Sequence, residues 1–152
     1  MRLTLFTDYS LRLLMFAATH RDRLVTIEET AKTFNISRAH LMKVANLLTS
    51  KGYLEAVRGR SGGLRLIEAP ERICLGDVIR ATEPDFALVE CFDRTNNCRI
   101  TPRCRLRGVI SDALAAFLDV FDRHTLADLL INPADFGLPR RPPIAAPASS
   151  GL

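Results

Sequence analysis

The stretch TIEETAKTFNISRAHLMKVANLLTSKG, residues 26–52, decides the fold. Thr26 with Glu29 three places on is the capping-box pattern that opens a helix, here predicted through Phe34. Asn35 and Ile36 make a tight turn, Ser37 caps the next helix, and Gly52 stops it after about Lys51. Along that helix Leu41, Val44, Ala45 and Leu48 share one face by the 3.6-residue period, with Ala39, Lys43, Asn46 and Ser50 opposite. Arg38, His40 and Lys43 are left free near its start. Two short helices joined by a tight turn, the second bearing basic and amide side chains near its N-terminus, form the arrangement that enters a major groove.

Downstream, residues 53–58 and 64–67 alternate in the manner of strands, and Gly59-Arg60-Ser61-Gly62-Gly63 joins them in a predicted β-hairpin. A hairpin after a recognition helix makes a winged helix. The candidate DNA contacts are therefore Ser37, Arg38, His40 and Lys43 on the helix, with Arg58, Arg60, Ser61, Gly62, Gly63 and Arg65 on the wing. A hairpin with a structural role alone is the competing reading of the glycines. Between Ser37 and Arg65 stand six basic residues and one acid, Glu55, so release of counterions from double-stranded DNA would supply much of the affinity. The charge is lopsided over the whole chain: residues 1–72 carry a net +5 and residues 73–152 a net −1. The basic half is where a polyanion binds. The glycine-rich tip lacks the Lys-Ser/Thr ending of a nucleotide-binding loop.

Upstream, Leu11, Leu14, Met15 and Ala18 recur at helical spacing and predict a first helix over Thr7–His20. Past Pro70 a short helix over Leu75–Thr82 ends at Glu83-Pro84, because the residue before proline disfavours the α region. Three cysteines follow: Cys91, Cys98 and Cys104, with six residues between the first pair and five between the second. The segment joining the first two is polar and turn-prone, which suits a surface loop folded around a metal. Three thiolates leave a tetrahedral set incomplete, and taken alone they read as an iron-sulfur site, a structural zinc site or unrelated thiols. Cys74, among Ile73, Leu75 and Val78, reads as a small buried hydrophobe.

Beyond Cys104 a helix of about twenty residues, roughly 30 Å long, carries apolar residues spaced four and three apart. Its length suggests pairing with a twin helix in a homodimer through Leu106, Ile110, Ala113, Leu114, Phe117 and Phe121. From Asn132 onward, Pro133, Pro139, Pro142, Pro143 and Pro147 among Ala, Ser and Gly read as a disordered tail. The predicted fold is thus mainly α with a small β-hairpin wing. A winged helix-turn-helix domain spans 1–83, a cysteine loop 84–104, a dimerisation helix and C-terminal segment 105–131, and the tail 132–152. No apolar run approaches the roughly 20 residues of a membrane span, and no leader pattern opens the chain. A cytoplasmic protein with reduced thiols and no membrane partner is expected.

Several stretches together carry a family resemblance: Phe6-Thr7-Asp8-Tyr9, Ser37-Arg38-Ala39-His40, Ala56-Val57-Arg58-Gly59 with Gly62-Gly63, Gly76-Asp77-Val78-Ile79, the run from Cys98 to Leu106, and Thr125-Leu126-Ala127-Asp128-Leu129. From Met1 to about Ile131 the chain resembles the winged-helix iron-sulfur regulators, a family with a cluster-biogenesis (IscR-like) branch and a nitric-oxide-sensing (NsrR-like) branch. The resemblance implies a DNA-binding repressor, not an enzyme, with an iron-sulfur cluster on Cys91, Cys98 and Cys104, 4Fe-4S ahead of 2Fe-2S. The first branch places a histidine three residues after the third cysteine, where this chain has Arg107. The second carries an aspartate matching Asp8 that can ligate the cluster of the other subunit. The resemblance to that branch implies nitric oxide as the signal, with loss of the cluster releasing DNA. A regulator of cluster supply or redox response, or an electron-transfer or cluster-carrier protein, are the alternatives.

Overall fold

In the computed structural model residues 2–137 are described. The chain runs α1 (Leu5–Thr19), α2 (Ile27–Phe34), α3 (Arg38–Ser50), β1 (Leu54–Val57), β2 (Gly63–Leu66), α4 (Leu75–Thr82) and α5 (Arg105–Asp122), with short 3-10 turns between and after them. It is a mainly helical winged helix, as the pattern of residues 26–67 requires. α1 begins two residues earlier than its apolar spacing suggests, because the Thr4 hydroxyl accepts from the Thr7 N–H and caps it. Thr26 caps α2 in the same way through Glu29 N–H. The reciprocal half of that capping box is absent, since the Glu29 carboxylate instead takes two hydrogen bonds from Arg23. That pairing also holds the Glu29 carboxyl below the usual carboxylate range. Asn35 closes α2 in the left-handed conformation at φ 53°, which Asn tolerates better than most residues.

β1 and β2 pair antiparallel with Leu54 opposite Leu66 and Val57 opposite Gly63. A third element joins them: Val25, between α1 and α2, exchanges two backbone hydrogen bonds with Leu64 at 3.0 and 2.8 Å. This docking explains Gly63, because a Cβ there would press on the Val25 carbonyl. At the tip Gly59 adopts φ 122°, a region that favours glycine.

The core gathers Leu13 and Leu14 of α1, Leu41, Val44 and Leu48 of α3, Leu54 of β1, Val78 of α4, and Leu126, all fully buried. Leu126 belongs to a 3-10 turn (Leu126–Leu129) beyond α5. Its N–H bonds the Ile73 carbonyl, and Leu75 N–H bonds the His124 carbonyl. The segment after α5 therefore packs into the winged-helix core. Within the expected tail, Pro133–Gly137 forms a 3-10 turn. Its Phe136 ring lies edge-on to Phe16 and Phe34 at 5.2 and 5.8 Å, an arrangement aromatic pairs favour. The remaining predicted tail, 138–152, lies outside the described residues.

α4 and α5 are tied by a bidentate pair, Arg80 to Asp122, at 2.5 and 2.7 Å. The guanidinium holds the Asp122 carboxyl below its usual range. A depressed folded value means that the pair stabilises the fold above the ordinary carboxylate range and loses that contribution as pH falls through the folded value. Gly76, buried on α4, lies against this carboxylate, and a Cβ there would overlap it. Gly76→Ala is therefore expected to displace Asp122 and lower the melting temperature by about 2–4 °C. Added to Asp122→Ala it should cost little more, since both substitutions remove one contact. Additive losses in thermal denaturation would show that Gly76 serves another purpose.

Candidate metal centre and nucleic-acid interface

The outer face of α3 carries Arg38, Ala39, His40, Met42, Lys43, Asn46 and Ser50, all exposed. Ser37 holds the N-cap position, yet its hydroxyl makes no capping bond, contrary to the expected cap, so hydroxyl and first-turn N–H groups stay open at that end. Among the described residues Arg38, Lys43, Arg58 and Arg60 enter no ion pair. Arg65 differs: it pairs across the hairpin with Glu55 at 2.8 Å. The His40 ring lies 6.2 Å from that of Tyr9, linking the start of α3 to α1. Met42, 46% exposed, and Asn46 lie on this same face and were not among the expected contacts. Asn46 was legible, falling one turn beyond Lys43. Gly62 is needed by the turn itself, where a Cβ would strike the Val57 carbonyl, so the structural reading of this glycine holds beside any functional one.

Cys91 lies in a 3-10 turn (Glu90–Phe92), Cys98 in the loop after it, and Cys104 at the N-cap of α5. All three thiols are free; Cys98 is exposed and the other two half-buried. Cys74 is also free, half-buried at the N-cap of α4, with its sulfur near the Asp122 carbonyl. The cysteine loop is organised by its own polar side chains. Asp93 accepts from the Thr95 N–H and hydroxyl at 2.9 and 3.0 Å, which holds its carboxyl below the usual range. Glu90 accepts from Asn97 N–H, Asn96 accepts from Cys98 N–H, and the Thr101 hydroxyl donates to the Cys98 carbonyl.

Cys104 and Arg107 share the rim of a cavity of about 720 Å³ with Phe86, Phe92, Ser111 and Leu114. Asp8, in the first turn of α1, is half-exposed and held by Arg12 at 2.8 Å. Arg12 in turn lies over the Phe34 ring of α2, 5.9 Å from its centroid. Among the described residues no three His, Cys, Asp or Glu side chains are grouped so as to hold a metal ion. The donors suit an iron-sulfur group: three soft, free thiols on one loop, with Cys104 at the N-terminus of α5, where the helix dipole favours a negatively charged assembly.

The expected dimerisation residues fall on two faces of α5. Ile110, Leu114, Phe117 and Phe121 are half-buried, Phe121 against the core and Phe117 against Phe121 at 5.1 Å. Leu106 and Ala113 are exposed, and with Val109, Ala116 and Val120 they form an exposed stripe spaced three and four apart. Val109 and Leu106 are 64% and 61% exposed. Spacing of three and four is the pattern on which helices pair.

A helix-turn-helix whose second helix and hairpin face outward defines the winged-helix class of regulator. Residues 3–132 match the family model Rrf2, described as an iron-dependent transcriptional regulator. The chain is 52% identical over 134 residues to the HTH-type transcriptional regulator NsrR of Bacillus licheniformis, covering 87% of this chain and 94% of that one. It is 50% identical over 137 residues to NsrR of Bacillus subtilis, covering 89% and 94%. Among solved structures, CymR, the global cysteine regulator of B. subtilis, superposes with a TM-score of 0.65 at 27% identity, over 85% of this chain and 95% of that one. The chain belongs to the Rrf2 family of transcriptional regulators. It is a regulator and not an enzyme. No helix among the described residues is long and apolar enough to cross a membrane.

Proposed function

We propose that this chain is a homodimeric, DNA-binding repressor of the cytoplasm that senses nitric oxide through an iron-sulfur cluster, with cluster loss releasing the operator. The observation that carries the reading is one molecule presenting unpaired Arg38, Lys43, Arg58 and Arg60 on a winged helix together with three free thiols on one loop. The identity to NsrR proteins over most of the chain supports it. Cys91, Cys98 and Cys104 hold the cluster, 4Fe-4S rather than 2Fe-2S, and Asp8 of the partner subunit supplies the fourth ligand. When bound, the cluster offers an iron atom with a weak oxygen ligand, where a small molecule such as nitric oxide reacts.

The chain's own residues do the rest. Asp8 in its ligating position ties α1 of one subunit to the cysteine loop of the other. In this structure the Asp8 carboxylate pairs with Arg12 at 2.8 Å, a partner that ligation would exchange for iron. Because two recognition helices must match half-sites one helical turn apart, about 34 Å, loss of that tie lowers affinity for the operator. Ser37, Arg38, His40 and Lys43 enter the major groove while Arg58, Arg60, Ser61, Gly62 and Gly63 follow the backbone and minor groove. Arg65 exchanges Glu55 for phosphate.

The test is anaerobic purification with visible absorption and iron analysis, then operator binding during nitric oxide titration. Binding that falls as the cluster absorption bleaches is expected; unchanged binding after complete bleaching rules the sensing out. Lys43→Ala and Arg58→Ala are each expected to weaken operator binding and reduce the slope of log affinity against log salt by about 1. A salt slope identical to that of the unsubstituted protein would remove those residues from the phosphate contacts.

A further inference from the structure

The joint between the cysteine loop and α1 is made by one side chain. Glu83 ends α4, its N–H bonding the Ile79 carbonyl at 2.9 Å, and Pro84 directly after it turns the chain into the loop. Its carboxylate Oε1 accepts from the Thr4 backbone N–H at 2.7 Å and from the Thr4 hydroxyl at 3.0 Å. Thr4 is the residue that caps α1. Asp8 and Tyr9 lie one turn further along that helix, and Tyr9 faces His40 at the start of α3. A continuous set of contacts thus runs from the first residue before the loop to the first turn of the recognition helix.

On one side the joint borders open space. Thr4 and Glu83 border a cavity of about 380 Å³ lined also by Leu3, Phe86, Leu114 and Phe117. α1 and α4 are in contact, with Thr7, Val78 and Thr82 buried, and at the edge of that packing two charge-assisted hydrogen bonds from Thr4 to Glu83 hold the N-cap of α1. Displacing the segment after Pro84 would shift these two bonds while the buried α1–α4 contacts beside them hold.

We propose that Glu83 is a positioning residue that transmits the state of the cysteine loop to the recognition helix by holding the N-cap of α1. The inference rests on the proposed cluster-dependent binding and adds to it the residue that couples loop to helix. Such a coupling is an energetic link between two sites, of a size that commonly changes affinity about 5- to 150-fold.

The experiment compares full-length unsubstituted protein with Glu83→Ala and Glu83→Gln. Amide exchange at Thr4 and Thr7 is followed in the iron-free protein, and operator affinity is measured for iron-loaded and iron-free forms at one salt concentration. In Glu83→Ala, exchange at Thr4 should rise about tenfold or more, and the ratio of the two affinities should fall at least about fivefold toward one. Glu83→Gln keeps an acceptor oxygen and should retain most of both. If Glu83→Ala folds poorly, Thr4→Val removes the hydroxyl partner while keeping the backbone donor, and a reduced ratio is again expected. Faster exchange with an unchanged ratio would make Glu83 a plain helix cap and overturn the proposal, as would unchanged exchange. Were the unsubstituted protein itself to show a ratio of one with its cluster intact, the sensing reading would fall first and this one with it. The two failures are therefore distinguishable.

Discussion

Val109→Asp combined with Val120→Asp is expected to turn the protein into a monomer that folds normally and binds its operator at least about 100-fold more weakly. Both side chains stand out from α5 on the exposed stripe, Val109 64% and Val120 47% exposed. In the single chain an aspartate there meets water and costs little. Across a paired-helix seam it would place like charges together in apolar surroundings, where an unpaired carboxylate is expensive. Loss of operator affinity follows because one winged helix then reads one half-site without its tethered twin. Sedimentation and melting decide the matter: a dimer that survives both substitutions places the interface elsewhere. The same pair of charges introduced at Leu114 and Phe117 should instead lower thermal stability, since those residues are half-buried within the chain.

Cys98→Ala is expected to abolish cluster retention and with it every response to nitric oxide, while changing folding stability by no more than about 0.5 kcal/mol. The thiol is exposed and makes no packing contact with the core, so the fold has no use for it. A thiolate ligand has no substitute nearby: the adjoining side chains are Asn97 and Arg99, and Asp93 is engaged by Thr95. Iron per chain and the visible absorption of the anaerobically reconstituted protein are the measurements. Cys74→Ala should retain both, because that thiol sits at the α4 N-cap beside the segment after α5. Full iron content in Cys98→Ala would show that the cluster, if one is held, does not depend on the loop.

Local pattern made the helix-turn-helix legible. The buried face of α3, the Thr26 cap, the Asn35 turn and the hairpin glycines each announce themselves within a few residues of one another, and the observed strands lie one residue inside the expected ones at most of their ends. What stayed hidden depends on chain segments far apart. Val25 pairs with Leu64 through a single residue, too short to show alternation. Glu83 reaches Thr4 across 79 positions. Arg80 finds Asp122, and Phe136 finds Phe16 and Phe34, through contacts that no periodicity records. The apolar stripe of α5 was visible as a whole. Its separation into a half-buried face and an open one was not, because both faces use the same residue types and only the fold shows which of them meets the core. For the candidate site, the cysteines were conspicuous in type and spacing. The hydrogen bonds that shape their loop, from Asp93, Glu90 and Asn96, were not, because spacing does not record which side chain accepts which N–H.

The fully buried position of Leu126 bears on how the molecule is made. A nascent polypeptide that has released only its first 83 residues from the ribosome still lacks the leucine that closes its interior and the backbone partners of Ile73 and Leu75. The DNA-reading head therefore matures late in synthesis, after the cysteines have been exposed to the cell, so that any metal loading during translation would meet an unfinished head.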